Sequence, residues 1–390
     1  MRRAFAAAFW ALAFFAASVA RAEIAAPYGP PPPPPMPDGF SRELNGATGA
    51  DASRLVIWRP AKPGATLLVV AQEEPSLASI SQPDLLRLAR ERNMTILFTG
   101  EPEKPAISPS AMQKLRETVI ELRRVSPLKK AIGSGLGAGA DLLRKLAFDK
   151  EGAPFDALLL ADGAETPPGG RNTPFVIDLY GSNAFWSPAP NSSPIPAKGP
   201  NRRSFFIAGA VISSATSGNC SARVNDRAIE PARRALLAAL DDFLQGGPPP
   251  PASRDAALKP ARDLNWPKIP NMPAPPTDAR LAPAIDPDGN ETSGLRLPDQ
   301  ALPIATFTGW NAGKDSAKGG CAAGAKFPFP ISRAAREASG DPRQSLPERY
   351  GSRAYFVAAL RSVADKLAKE RLLLPQDADA YVAEGKKAPF

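Results

Sequence analysis

Gly133-Ser134-Gly135-Leu136-Gly137 lies between a strand-like stretch, Leu128–Ile132, and a helical one, Ala140–Phe148. Small residues on either side of a central position, at a strand-to-helix junction, are the spacing that presents a serine nucleophile on a strained turn. The central residue here is Gly135, which has no side chain. Such a nucleophile also needs a base to take its proton, and the 390 residues include no histidine. The same absence removes histidine-held haem and the commonest transition-metal sites. Read instead as a dinucleotide loop, Gly133-x-Gly135-x-x-Ala138 has the fingerprint spacing, with Asp162 ending the next strand where a ribose-binding acid would sit. The preceding strand is not the first of its sheet, however, so no cofactor is expected. The third reading is a tight crossover that tolerates no Cβ.

A serine–lysine acyl enzyme needs no histidine. Ser126-Pro127-Leu128-Lys129, Ser217-Gly218-Asn219 and Lys318-Gly319-Gly320 stand in the order that chemistry uses. There the serine opens a helix so that the lysine, one turn on, takes its proton. Here a helix ends near Val125 and a strand follows Lys129. The serine–lysine acyl enzyme at Ser126 is the third reading.

The elements that would position these residues follow from periodicity. Short apolar runs at Thr66–Val70, Thr95–Phe98, Leu128–Ile132, Phe155–Ala161, Phe175–Tyr180 and Ser204–Val211 suit strands buried on both faces. Helical patterns at Pro83–Arg92, Ala111–Val125, Ala140–Phe148 and Pro231–Leu244 alternate with them, which predicts an α/β fold with a mostly parallel sheet flanked by helices. Residues 246–283 are rich in proline, but Leu264, Trp266 and Ile269 suit an arm laid across the surface better than a solvated tether. Ser345 and Glu348 have capping-box spacing, and Phe356, Leu360, Val363 and Leu367 form a helical stripe. A short helix over Asp377–Glu384 closes a helical C-terminal segment.

Arg2-Arg3, the apolar run Ala4–Ala17 and Ala20-Arg21-Ala22 form a secretory signal, so residues 1–22 are expected to be removed. Pro30–Pro35 marks 23–54 as a proline-rich linker, 55–245 as the core, and 246–390 as a C-terminal region packed on it. Losing the leader removes three arginines and no acid from a net charge of +9. The remaining charges are interspersed, with no basic-aromatic stripe for nucleic acid. No later segment is apolar enough for a membrane span. The expected address is periplasmic or secreted. Cys220 and Cys321 are the only cysteines, and an oxidising compartment would allow them to pair.

Four runs in the C-terminal third carry a resemblance: Asp288-Gly289-Asn290-Glu291, Gly294-Leu295-Arg296-Leu297-Pro298, Thr306-Phe307-Thr308-Gly309-Trp310-Asn311 and Glu348-Arg349-Tyr350-Gly351-Ser352-Arg353. With Phe327-Pro328-Phe329, Leu372–Pro375 and Arg234–Asp241, they resemble a bacterial family of α/β-hydrolase-domain proteins, over roughly Leu128 to Glu384. The resemblance implies an α/β-hydrolase fold. It also implies where the catalytic residues should stand, and Gly135 falls at the serine, Ala184 at the acid and Ile212 at the histidine. The expectation is an exported pseudo-hydrolase that binds an unidentified small molecule or protein partner. The alternative is a hydrolase using Ser134 or Ser182 with a base such as Asp178 or Lys130.

Overall fold

Leu67, Leu68, Val69 and Val70 are all fully buried, as a strand covered on both faces requires. They sit in the middle of an eight-stranded sheet. The computed structural model describes residues 40–45, 54–71, 83–100, 109–124, 127–162, 173–186, 199–212, 219–314, 321 and 323–390. The signal segment, Pro30–Pro35, Ser126, Ser217-Gly218 and Lys318–Gly320 lie outside these residues.

The strands are β1 (Phe40–Asn45), β2 (Arg54–Pro60), β3 (Thr66–Ala71), β4 (Thr95–Gly100), β5 (Lys130–Leu136), β6 (Ala157–Ala161), β7 (Phe175–Gly181) and β8 (Arg202–Ile207). Their order across the sheet is β1-β2-β4-β3-β5-β6-β7-β8. β2 runs antiparallel to both β1 and β4, and every other pairing is parallel. Four strands differ from the sequence reading: β2 is not among the expected strands, and β8 runs over Arg202–Ile207 instead of Ser204–Val211. β1 falls in the segment assigned to the linker, and β5 runs from Lys130 to Leu136 instead of ending at Ile132. Its glycines are at home in the strand because α3 approaches too closely for side chains.

Helices α1 (Pro83–Glu91), α2 (Pro109–Arg124), α3 (Gly137–Phe148) and α4 (Glu230–Leu244) cover both faces. Leu88 of α1 and Leu236, Leu237 and Leu240 of α4 pack with Ile132, Leu159 and Ile177 on one face. Leu115 and Val119 of α2 and Leu142, Leu143 and Leu146 of α3 pack with Leu158, Leu160 and Val176 on the other. The chain moves outward from β3 to β4 in one direction and from β5 to β6 in the other. That reversal makes a topological switch point at the carboxyl ends of β3 and β5, the usual place for a ligand in such sheets.

The proline-rich segment is an arm on the domain. Its β9 (Leu258–Pro260) pairs with β10 (Leu281–Pro283), and Leu264 and Ile269 are buried. Arg254 and Leu295 bond to the backbone of β8, at Ser204 and Phe206 and at Phe206 and Ala208 respectively, so the outer edge of the sheet is covered. After α5 (Pro298–Ala301) come β11 (Ala305–Phe307) and β12 (Lys326–Pro328), paired antiparallel. Helices α6 (Arg333–Ser339), α7 (Leu346–Tyr350), α8 (Arg353–Lys369) and α9 (Pro375–Gly385) complete the chain. Ala364 and Leu367 of α8 and Ala378 of α9 join the same core as α4. Cys220 and Cys321 form a disulfide. Among the described residues no helix is long and apolar enough to cross a membrane.

Candidate active-site region at the carboxyl end of the sheet

Side chains alternate across β5. Ser134 points toward α4, where its Oγ accepts a 2.9 Å bond from Arg233 Nη2. Gly133 and Gly135 point toward α3. A Cβ on Gly135 would come within 2.7 Å of the backbone of Gly139 and Ala140. A side chain at Gly135 would therefore clash with the first turn of α3. The residue with left-handed backbone at the strand-to-helix turn is Gly137, at φ 47°. It opens α3, as a nucleophile on this turn would. Gly135 and Gly139 make the close helix–strand approach on either side of this turn. Gly133 and Gly135 are also paired within the sheet on both sides, so they form no phosphate loop.

Ala184 and Ile212, where the family resemblance implies an acid and a histidine, follow β7 and β8. Ala184 lies half-buried in a single turn, Ser182–Phe185, directly after β7. Ile212 is half-buried just past β8 and packs against the core. Asn183 joins the two segments: its Nδ2 donates to Ile212 O at 2.7 Å and its Oδ1 accepts from Ile212 N at 2.9 Å. This pair of bonds holds the two turns in place without using any reactive group.

A buried carboxylate does more of that work. Glu291 Oε2 accepts from Ser182 Oγ and from Gly209 N, both at 2.6 Å, and so ties the ends of β7 and β8 to the C-terminal region. Burial pushes its carboxyl up to about 7, against the two hydrogen bonds that favour the charged form. Around it, Asn225 Nδ2 donates to Gly209 O at 2.8 Å and to Thr308 O at 3.1 Å. Gly209 has φ 68°, and a Cβ there would meet Gln300 Oε1 at 2.3 Å. Gln300 is buried with neither amide atom hydrogen-bonded. Gly309 lies against Ser182, since a Cβ on it would come within 2.4 Å of the Ser182 carbonyl. Ser182 is thus roofed by backbone.

The bases named from sequence do not reach the serines. Asp178 projects to the α3 face and pairs with Arg144 Nη2 at 2.9 Å, whereas Ser134 projects to the α4 face. Lys130 stands at the opposite end of β5 and faces Asp156 at 3.7 Å. Ser134 has only a guanidinium beside it, and an arginine does not lose its proton to act as a base. Ser182 meets Glu291, a partner that no local pattern marks, because 109 residues separate the two. Ser126 lies outside the described residues. Its lysine partner, Lys129, directly precedes β5, and α2 ends at Arg124, which leaves no helix to carry both.

The C-terminal runs serve mainly to hold the arm. Asp288 pairs with Arg349 at 2.7 Å, and Asn290 bonds Ala305 O and Phe307 N, each at 3.1 Å. Arg343 is bound by Asp341, Thr306 and the carbonyls of Phe327 and Pro328. Trp310 packs edge-on against Trp266 and Trp186 beside the end of β7. Among the described residues no group of three or more acids and cysteines is arranged to hold a metal ion.

Residues 193–383 match the family described as alpha/beta hydrolase domain. The match includes β8, α4 and the C-terminal region, and begins after the turn at Gly137. Similar solved structures include an arylesterase (11% identity over 38% of this chain and 68% of that one, TM-score 0.29). Another is a fluorophosphonate-binding serine hydrolase of Staphylococcus aureus (12%, 37% and 81%, TM-score 0.30). A third is a poly(3-hydroxybutyrate) depolymerase of Bordetella parapertussis (13%, 42% and 70%, TM-score 0.30). No curated protein matches the chain.

Proposed function

We propose that this chain, whose residues 193–383 carry the alpha/beta hydrolase domain match, is an exported, non-catalytic relative of the hydrolases that binds a ligand or partner at the carboxyl end of its sheet. The observation that carries the reading is Gly137: the strained turn that would present a nucleophile holds a residue with no side chain. The absence of histidine from the sequence removes the usual base as well. The turns after β7 and β8, where an acid and an imidazole would stand, are occupied by Asn183–Ile212 bonds and the Glu291 staple. A disulfide between Cys220 and Cys321 supports export to an oxidising compartment, as does the N-terminal signal pattern.

One observation favours a second reading. Ser182 Oγ donates to a carboxylate whose pKa is raised to about 7, a pairing able to move a proton at neutral pH. Against it, Ser182 has no exposed surface and Gly309 backbone lies over it. A fluorophosphonate probe on the folded protein separates the two. No labelling supports the non-catalytic reading, whereas labelling that disappears in Ser182→Ala or Ser134→Ala refutes it and identifies the nucleophile.

A further inference from the structure

The turns after β7 and β8 are tied to each other by neutral bonds. Ser182 N donates to Ala210 O at 2.7 Å, and Asn183 makes two bonds to the Ile212 backbone. Residues 182–185 and 209–212 therefore form one unit. Glu291 fastens that unit to the C-terminal region, and both of its bonds, from Ser182 Oγ and Gly209 N, end on a single oxygen.

This joint is costly to keep closed once the carboxyl is charged. Glu291 is only 3% exposed, and among the described residues burial and the two hydrogen bonds are what act on its carboxyl. The charged groups of the surrounding elements are engaged elsewhere. Asp178 of β7 pairs with Arg144, Arg227 after β8 with Asp299 of α5, and Asp288, on the turn before Glu291, with Arg349 of α7. Asp286 accepts from the amides of Asp288 and Asn290, and Arg296 donates to Gln300 O. At the same joint the Gln300 amide, buried against Gly209, has no hydrogen-bond partner on either atom. Parting the joint hydrates both side chains, and water favours the carboxylate far more than the neutral acid.

We propose that Glu291 is a proton-operated latch: protonated, it holds the turns after β7 and β8 against the C-terminal region, and on losing its proton it releases them. The closed joint keeps the proton up to about pH 7, whereas the hydrated carboxyl of the open joint loses it near the ordinary 4.5. Raising the pH therefore favours opening, by up to about tenfold per unit once pH 7 is passed, and lowering it closes the latch. These turns stand at the carboxyl end of the sheet, so the latch sets the pH at which that end is rigid. It operates whether or not the chain is catalytic.

Hydrogen exchange of the full chain, followed by mass spectrometry from about pH 5.5 to 8.5 and corrected for the intrinsic rate at each pH, tests the latch. Peptides holding Ser182, Gly209 and Ala210 should exchange through an opening far easier than the one that exposes residues 67–70 of β3. Their protection should fall by up to about tenfold per unit above pH 7. In Glu291→Gln, which cannot ionise, that fall should be absent. Equal protection at the two places means that only global unfolding exposes these amides, and it overturns the latch. A flat wild-type profile, or a fall that persists in Glu291→Gln, overturns it as well. Should Glu291→Gln fail to fold, Ser182→Ala is the second variant. It removes a bond that favours the charged form, so the fall must begin at a higher pH, and an unchanged onset overturns the proposal.

Discussion

Replacing Glu291 by glutamine changes the pH dependence of stability in a direction that the structure determines. Burial raises the carboxyl from 4.5 to about 7, so the folded protein holds this proton more tightly than the unfolded chain does. For this group stability is full below pH 4.5, declines as pH rises toward 7, and stays reduced above that. A shift of that size corresponds to about 3 kcal/mol at pH 8, at 1.36 kcal/mol per unit. Glu291→Gln keeps an acceptor for Ser182 Oγ and Gly209 N but cannot ionise. Denaturant titrations of both proteins at half-unit intervals from pH 4.5 to 8.5 measure the effect. The difference between variant and wild type should grow with pH, in favour of the variant, at no more than about 1.4 kcal/mol per unit. Any constant packing penalty of the glutamine drops out, because the slope carries the result. Parallel profiles, or a difference that grows as pH falls, would refute the assignment of Glu291 as a desolvated carboxylate.

Three other outcomes follow from local geometry. Gly135→Ser should destabilise by at least about 3 kcal/mol in denaturant unfolding, since its Cβ meets α3 backbone at 2.7 Å, while Gly137→Ser should cost about 1–2 kcal/mol for its left-handed backbone. Changing Cys220 and Cys321 together to serine should cost about 4–5 kcal/mol, from a loop spanning 101 positions, and a reductant should reproduce the loss in wild type but not in the variant. Asp178→Asn, which removes one of the two carboxylates paired with buried Arg144 while Asp141 still meets it at 3.1 Å, should cost about 1–3 kcal/mol in denaturant unfolding.

The strands from β3 to β8 and the helices α1 to α4 are legible in the sequence because each buries a continuous apolar run or stripe. The arm is legible for a related reason: Leu264 and Ile269 would be unstable in water, and both are buried. β1 is not legible. Phe40–Asn45 carries arginine, glutamate and asparagine, and it is a strand through its pairing with β2. The limits of β5 are hidden in Gly133, Ser134 and Gly135, which have low strand propensity and are held in the sheet by β3 and β6 on either side. That hidden extension is why Gly135 reads as the centre of the turn when Gly137 occupies it.

The buried polar residues show the division most clearly. Glu291 stands in a run that the family resemblance highlights, yet nothing near it predicts Ser182 and Gly209 as partners. Arg233 looks like the solvated side of a helix until α4 packs against β5 and removes it from water. The chain's composition alone settles that no imidazole is available anywhere, since a missing residue type cannot be restored by folding. The place of the turn, the pairing of the serines, and the burial of Arg233 depend on distances between residues far apart in sequence. Only tertiary packing sets those distances.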